Sequence, residues 1–152
     1  MKPRTLDTDQ LLKKVTDAAR KAFTSLTKSH PDETFYAFAL YTDESAMTII
    51  PAATSEESIE RRLGGYGKLS PQSRKAMRWS TGEWAYESVG ADREFDSICK
   101  TLAKGGYYDP DDDEAHRAHF SAVFETMVRA LEALDKEGLF GKGKAREQVT
   151  LF

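Results

Sequence analysis

TFYAFALYTDESAMTII, at residues 34–50, is the stretch that decides the fold. Its first part is aromatic and apolar without a helix breaker, and such a short run is typical of a largely buried strand over 34–42. The TDES segment supplies side chains that hydrogen-bond to nearby backbone in turns. AMTII then predicts a returning strand over 46–50, which Pro51 ends. The stretch therefore predicts an antiparallel hairpin.

Three longer segments have apolar residues at the three- and four-residue spacing of helices. The first covers 8–28 and begins after a capping signal at Asp7. The second covers 92–104, with Cys99 predicted to be a buried structural thiol on its apolar face. The third is a long helix near 111–137, which starts in the acidic run DPDDDE. Its predicted buried stripe consists of Phe120, Phe124, Met127, Leu131 and Leu134.

Shorter elements complete the expected fold. A capping box predicts a helix over 54–63, while 75–79 and 147–152 are expected to be strands. Residues 84–87 are expected to open a short helix after a further capping signal. The combination predicts an α+β fold, in which a small, mainly antiparallel sheet packs against several helices. The chain length predicts a single domain over residues 1–152.

GLFGKGK, at residues 138–144, has the glycine and lysine spacing of a phosphate-binding loop. Such a loop needs a strand before the glycines and a helix after them, but here a long predicted helix comes first. Ala145 also occupies the position where Ser or Thr would bind magnesium. Gly138 instead suits the position just after a helix, where a positive φ is common. We therefore interpret the segment as the end of the long helix.

The composition excludes several classes of protein. The chain has a net charge of -3 at pH 7 and no basic stripe of the kind that binds nucleic acid. No segment approaches the roughly 20 apolar residues of a membrane span, and no signal peptide is recognisable, so we expect a cytoplasmic protein without a membrane partner. The single cysteine excludes an intrachain disulfide and a cysteine-rich zinc site.

The acidic segment and the histidines do not make a complete metal motif. DPDDDEAHRAHF lacks the glycine and the glutamate that a calcium loop needs at its sixth and twelfth positions. His116 and His119 share the start of one predicted helix, but a metal would need a third ligand from elsewhere. We expect these to be histidines near the surface, of which only one faces inward. No catalytic residue, metal or cofactor is assigned from the sequence.

MRWSTGEWAY, at residues 77–86, is the most distinctive segment because it holds two tryptophans, a tyrosine and an arginine. Large aromatic side chains of this kind often anchor the core of a small sheet. They also form interaction surfaces, since Trp, Tyr and Arg dominate binding hot spots. Both interpretations stay open, and the second one places Arg78, Trp79, Glu83 and Trp84 in a binding surface.

Together, FYAFALYTD (35–43), RWSTGEWAY (78–86) and ALEALDKEGLFG (130–141) resemble a bacterial family known only as a domain of unknown function. The resemblance covers most of the chain, over residues 30–152. It implies no activity, cofactor or catalytic residue, because none is established for the family. It also implies a setting near bacterial toxin–immunity loci, and so an immunity or accessory protein that binds a partner.

Acidic residues supply a candidate surface for such a partner. Residues 31–60 carry seven acids and neither lysine nor arginine, a distribution suited to a basic protein. We expect a non-enzymatic, protein-binding domain, which as an immunity protein would neutralise a basic toxin domain. The expected binding residues are Asp43, Glu44, Glu56 and Glu57, together with Arg78, Trp79, Glu83 and Trp84.

Two other functions stay open at the level of the sequence. The chain would be an uncharacterised enzyme if Arg78 and Glu83 shared a cleft with His116 or His119, since these side chains can bind substrate and transfer protons. It would be a regulatory or scaffold domain if its protein partner were not a toxin. The oligomeric state is not specified by the sequence.

Overall fold

The computed structural model describes residues 5–105, 109 and 111–152. Over these residues, helices pack on a small sheet, which confirms the predicted α+β fold class. The helices are α1 (Thr8–Ser29), α2 (Glu56–Gly64), α3 (Pro71–Arg78), α4 (Asp92–Lys104), α5 (Asp113–Lys136) and α6 (Lys144–Glu147). The strands are β1 (Phe35–Tyr41), β2 (Ile50–Ser55), β3 (Tyr86–Glu87) and β4 (Thr150–Leu151).

The sheet has the strand order β3-β2-β1-β4. β1 pairs with β2 in antiparallel orientation, with Leu40 opposite Pro51, and β2 pairs in the same way with β3. β4 pairs with β1 in parallel orientation, and Phe38 lies opposite Leu151. The sheet is therefore mostly antiparallel, as predicted, with the hairpin strands at its centre.

The returning strand of the hairpin lies later in the chain than predicted. The sequence places it at 46–50 with a stop at Pro51, whereas β2 begins at Ile50 and includes Pro51. The reason is a compact turn, because the Asp43 carboxylate accepts hydrogen bonds from Ser45, Met47 and Thr48. Pro51 is tolerated because it lies near the start of the strand, where its carbonyl still accepts a hydrogen bond from Ser88 N, just after β3.

Each face of the sheet carries its own apolar cluster. On the first face, Phe38 and Leu40 pack towards α1, α4 and α5, and the Phe38 ring centroid lies 5.0 Å from those of Phe23 and Phe140. On the second face, small side chains leave room for α2, α3 and Trp84. These small residues are Ala37, Ala39 and Ala52. The sheet thus separates two groups of helices.

The buried stripe of α5 is rotated from the predicted one. Phe124 is 53% exposed and Phe120 is half-buried, although the sequence predicts both in the core. The buried side chains are His119, Val123, Thr126, Met127, Ala130, Leu131 and Leu134. Small residues such as Ala130 face the alanines of α1, and small side chains let two helices approach closely, so the large phenylalanines are left at the side.

The end of α5 confirms that GLFGKGK is a helix stop. Gly138 has a φ of +81°, and its N–H donates to the Asp135 carbonyl at 2.9 Å. Leu139 N–H donates to the Leu134 carbonyl at 3.1 Å, so two carbonyls at the helix end are satisfied. Phe140 is buried in the first-face cluster and fixes the end of the helix to the core.

Two elements in the middle of the chain differ from the prediction. Residues 75–79 were expected to be a strand but belong mostly to α3, because Ser70 caps that helix and Pro71 occupies its first turn. Residues 84–87 contain β3 and no helix, because Ser80 makes no side-chain capping hydrogen bond and only a 3-10 turn forms at Thr81–Glu83. Neither α3 nor β3 contains a fully buried side chain, so the spacing of apolar residues could not predict either of them.

The remaining boundaries are closer to the prediction. The helix predicted at 54–63 begins at Glu56, because Ser55 rather than Thr54 is the capping residue. The strand predicted at 147–152 shortens to Thr150–Leu151, since α6 occupies the residues before it. Over the part of the chain that the structure describes, no helix is both long and apolar enough to cross a bilayer.

Candidate functional site

The end of α3 is fixed to the second face of the sheet by two aromatic side chains. The Tyr36 hydroxyl donates to the Arg78 carbonyl at 2.9 Å, and Trp84 Nε1 donates to the same oxygen at 3.0 Å. Tyr36 and Trp84 are both buried. The two hydrogen bonds satisfy a carbonyl that the end of the helix leaves without a helical partner. They therefore fix the positions of Arg78 and Trp79 at this end of α3.

The Arg78 guanidinium is held between a ring and a carboxylate. It lies 3.8 Å from the centroid of the Tyr36 ring and makes a two-pronged contact with Glu56, at 2.6 and 2.7 Å. Hydrogen bonding to Arg78 lowers the pKa of Glu56, and the same contact raises the pKa of Arg78. The geometry gives a charged pair whose orientation is fixed before any partner binds.

Two aromatic side chains lie exposed above this support. Trp79 is 40% exposed and Phe152 is 45% exposed, and their ring centroids are 6.1 Å apart. Trp79 contacts the Tyr36 ring edge-on at 5.4 Å, while Phe152 lies 5.6 Å from Trp84. We call Trp79 and Phe152 the aromatic patch. Of the two predicted tryptophans, Trp84 is thus a core residue and Trp79 a surface residue.

Further ion pairs hold the second-face helices α2 and α3 and the segment that follows them. Glu83 accepts hydrogen bonds from Arg62 Nε at 3.2 Å and from the Tyr66 hydroxyl at 2.8 Å. It therefore contacts α2 and the segment that follows α2, rather than Arg78. Arg74 bonds both oxygens of Glu60, at 2.8 and 3.0 Å. The Arg78–Glu56 pair adjoins the aromatic patch, because the Arg78 guanidinium lies 5.5 Å from the centroid of the Trp79 ring.

The acidic residues predicted to bind a partner fall at two ends of the hairpin. Asp43 and Glu44 follow β1, whereas Glu56 and Glu57 follow β2, and the length of β1 between them is about 23 Å. Only Glu56 adjoins the aromatic patch, through Arg78. Glu57 accepts hydrogen bonds from Thr34 N and Oγ1, at 2.7 and 3.0 Å. The structure therefore does not bring the four acids into one surface.

Asp43 has a structural role in the turn. Burial would raise the pKa of its carboxyl, but hydrogen bonds from Ser45, Thr48 and Met47 outweigh this and lower the pKa to about 2. Its contacts include Ser45 N at 2.8 Å and Thr48 Oγ1 at 2.5 Å. The neighbouring Glu44 is exposed. Among the predicted acids of this end, Glu44 is the one whose side chain points to solvent rather than into the turn.

The two histidines lie apart from Arg78 and Glu83. His119 is buried, and its Nε2 lies 2.9 Å from the Ala46 carbonyl oxygen. His116 is half-buried, with its ring centroid 6.5 Å from that of Phe120. Both belong to α5 on the first face of the sheet, whereas Arg78 lies on the second face. In the described residues, no group of three or more His, Cys, Asp or Glu side chains is arranged to hold a metal.

The structure contains a half-buried carboxylate network around Glu33 that the sequence did not predict. Glu33 accepts hydrogen bonds from the Tyr86 hydroxyl at 2.5 Å, Ser55 Oγ at 2.7 Å and Arg61 at 3.0 Å. Burial would raise the pKa of Glu33, but these bonds outweigh it and lower the pKa. Burial and the bond to Glu33 raise the pKa of Tyr86 to about 12. The partners are far apart in the chain, so no local pattern could have predicted the network.

A cavity of about 490 Å³ lies between the start of β2, the loop after β3 and α4. Cys99 lines this cavity and is half-buried, whereas the sequence predicted a buried thiol. The side chain is partly exposed because it faces the cavity beside the start of β2. Ile49 N donates to Cys99 Sγ at 3.5 Å. The cavity lining is Ile49, Ile50, Pro51, Ser88, Gly90, Asp92, Arg93, Phe95, Asp96 and Cys99. None of the predicted binding residues lines this cavity.

These observations define an α+β domain in which one predicted site residue, Trp79, forms an exposed aromatic patch with Phe152, beside the Arg78–Glu56 ion pair. The chain belongs to a family described as a domain of unknown function (DUF4303), whose family model matches residues 15–152. The expectation of a family of unknown function is therefore confirmed. No curated protein and no solved structure matches the chain.

Proposed function

We propose that the chain is a non-enzymatic domain that binds a protein partner through the aromatic patch. The observation that carries the proposal is the joint exposure of Trp79 and Phe152 on a support of buried rings. Trp is among the residues that most often dominate binding energy, and burial of such rings against a partner removes a large apolar area from water. The Arg78–Glu56 pair beside Trp79 supplies polar groups of the kind that usually border the apolar centre of an interface.

The rigidity of the support favours binding. Arg78 is fixed by Glu56 and Tyr36, and the carbonyl of Arg78 is fixed by Tyr36 and Trp84. A surface that is already ordered loses little conformational entropy when a partner binds. The patch therefore has the features of a preorganised hot spot, with Trp79 as its main anchor and Phe152 beside it.

The partner we propose is a toxin domain in the bacterial cytoplasm, which the chain would neutralise as an immunity protein. The support is the resemblance to proteins near toxin–immunity loci and the acidic character of residues 31–60. Glu56 adds a carboxylate beside the patch, and Glu44 adds one at the other end of the hairpin. A basic partner would be attracted by these acids during its approach. A regulatory partner would use the same patch.

The test uses purified chain and the toxin domain encoded beside its gene. Trp79→Ala should weaken binding by about 2 kcal/mol, or roughly 30-fold in Kd, measured by isothermal titration calorimetry. Phe124→Ala is the matched control, because Phe124 is also an exposed aromatic residue but lies on α5. It should leave the affinity unchanged. Circular dichroism of each variant checks that the fold is retained.

Two results would contradict parts of the proposal. Equal affinities of wild type and Trp79→Ala would remove the aromatic patch from the binding surface. A neighbouring metabolic operon would remove the toxin as partner. In that case the protein that a native pull-down recovers with wild type, but not with Trp79→Ala, is purified and titrated in place of the toxin.

A further inference from the structure

The cavity beside α4 has the size and the walls of a small-molecule site. Its volume of about 490 Å³ falls within the roughly 300–1,000 Å³ that ligand pockets usually have. Its walls are largely apolar and include Ile49, Ile50, Pro51 and Phe95. A mostly apolar lining with a few polar groups is typical of pockets that bind small molecules. The apolar part of a ligand would therefore be removed from water here.

One wall of the cavity is a loop that is fixed from two sides. Ser88 N–H donates to the Pro51 carbonyl at 2.9 Å, which ties the loop to β2. Gly90 has a φ of +84° and lies directly on α1, because an added Cβ would be 3.0 Å from Ala22 Cα. Ser88 and Ala91 also have positive φ angles, of +57° and +50°, which non-glycine residues adopt only where their surroundings hold them. The cavity is therefore formed before a ligand binds, which lowers the entropy lost on binding.

Two charged side chains at the opening of the cavity are available to a ligand. The charged residues that line the cavity are Asp92, Arg93 and Asp96, and all three are exposed. Asp96 pairs with Lys100 at 2.7 Å, and Glu94, which does not line the cavity, pairs with a lysine of α1. Within the described residues, neither Asp92 nor Arg93 makes an ion pair. The opening thus presents one carboxylate and one guanidinium beside an apolar wall.

We infer that this cavity binds a free amino acid with an apolar side chain. The side chain of the ligand lies against Ile49, Ile50 and Phe95, and the two charged groups on its α-carbon meet the charges at the opening. Asp92 attracts the α-ammonium group. Arg93 attracts the α-carboxylate, which a guanidinium can hold with two parallel hydrogen bonds. Each part of the ligand thus meets a group of matching chemistry in the lining.

Other ligands match the opening less completely. A simple carboxylic acid would leave Asp92 unmatched, and a simple amine would leave Arg93 unmatched. The end of a peptide carries only one of the two charges, so a peptide would also leave one of these side chains without a partner. The cavity is separate from the aromatic patch, since Trp79 and Phe152 do not line it. The failure of one proposal therefore leaves the other intact.

The experiment is a titration of the isotope-labelled chain with L-phenylalanine, followed by amide NMR spectra. The amides of Gly90, Phe95 and Cys99 should shift most, and the amide of Trp79 should not shift. Glycine lacks the apolar side chain and should bind roughly tenfold more weakly. L-Phenylalaninamide and N-acetyl-L-phenylalanine each lack one charge and should bind about fivefold more weakly. An absence of shifts up to about 20 mM L-phenylalanine would overturn the inference. Equal Kd values for the three phenylalanine compounds would overturn the choice of a free amino acid as the ligand.

Two variants test which protein charge meets which ligand charge. Arg93→Gln should raise the Kd of L-phenylalanine about fivefold and leave that of L-phenylalaninamide unchanged, because the amide has no carboxylate to bind. Asp92→Asn should raise the Kd of L-phenylalanine by a similar factor and leave that of N-acetyl-L-phenylalanine unchanged, because this compound has no ammonium group. Arg74→Gln changes an arginine of α3 that does not line the cavity, so this control should leave every Kd unchanged. The amide spectra show whether each variant is folded. A loss that is equal for all ligands in Arg93→Gln or in Asp92→Asn would overturn the role assigned to that residue.

Discussion

Arg78 combines a stacked ring and a two-pronged ion pair in one side chain, and its geometry is specific to arginine. We predict that Arg78→Lys lowers the free energy of unfolding by about 1 kcal/mol, because an ammonium keeps the charge but loses the flat contact with Tyr36 and one bond to Glu56. Urea denaturation measures the change.

The control for Arg78 is a second arginine with only the ion pair. Arg74→Lys alters a more exposed contact with Glu60, and exposed pairs contribute little, so we expect a loss below about 0.5 kcal/mol. Equal losses in the two variants would show that the ring beneath Arg78 adds nothing to stability.

Asp43 should make the stability of the turn depend on pH. Its pKa is lowered to about 2 in the folded chain, against an unfolded value of about 4. The stabilisation is therefore complete above the unfolded pKa and is lost as the pH falls through the folded pKa. We predict that wild type is more stable than Asp43→Asn at pH 7, by about 1 kcal/mol, and that the difference shrinks between pH 4 and pH 2. Urea titrations at these pH values measure it.

The neighbouring acid serves as the control for this pH dependence. Glu44→Gln removes an exposed carboxylate that makes none of the bonds that Asp43 makes in the turn, so the difference from wild type should stay small at every pH. A difference for Asp43→Asn that is constant from pH 7 to pH 2 would contradict the assigned role of its carboxylate.

At the scale of the single residue, the sequence shows which segments are unusual in composition, but it does not show what each side chain touches. The segment around Trp79 is distinctive in its composition, but composition cannot show that Trp84 is buried and Trp79 exposed. The acids were found as a group, yet one fixes a turn and another pairs with Arg78. Such assignments depend on partners that are distant in the chain.

At the scale of the element, the stop of α5 depends on one glycine. Gly138 has a φ of +81°, and an added Cβ would lie 2.8 Å from Lys142 Cε. Because the Lys142 side chain is flexible and can move, the strained backbone is the main cost. We predict that Gly138→Ala lowers the free energy of unfolding by about 1–2 kcal/mol, measured by urea denaturation.

A glycine at the end of another helix provides the comparison. Gly64 ends α2 with an ordinary φ, and an added Cβ would meet nothing within 4 Å. Gly64→Ala should therefore be neutral or slightly stabilising, since alanine reduces the freedom of the unfolded chain. A larger loss at Gly64 than at Gly138 would contradict the explanation by backbone conformation.

The elements that the sequence predicts well are those with long, regular apolar spacing. α1, α4 and α5 lie within a few residues of their predicted bounds for this reason. α3 has no buried residue and β3 has two residues, so neither leaves a periodic pattern. β2 was displaced because Pro51 was interpreted as a stop, and only the pairing with β1 shows that the strand continues through it.

At the scale of the whole molecule, the sheet keeps the two proposed sites apart. The aromatic patch belongs to the second face, with α2 and α3, whereas the cavity lies beside α4, which packs on the first face. Trp79 and Phe152 do not line the cavity. The proposed amino acid and the proposed protein partner would thus bind to separate residues.

The pairing of β4 with β1 has a consequence for the order in which the protein folds. Leu40 N–H donates to the Phe152 carbonyl at 2.9 Å, and Phe152 N–H donates to the Phe38 carbonyl at 3.1 Å. The backbone groups on this edge of β1 are therefore paired only after the last strand has been added to the sheet. Contacts over such a separation form late, since a long loop must close first. Phe152 joins Trp79 only at this step. The binding surface proposed above is therefore complete only after β4 has joined the sheet.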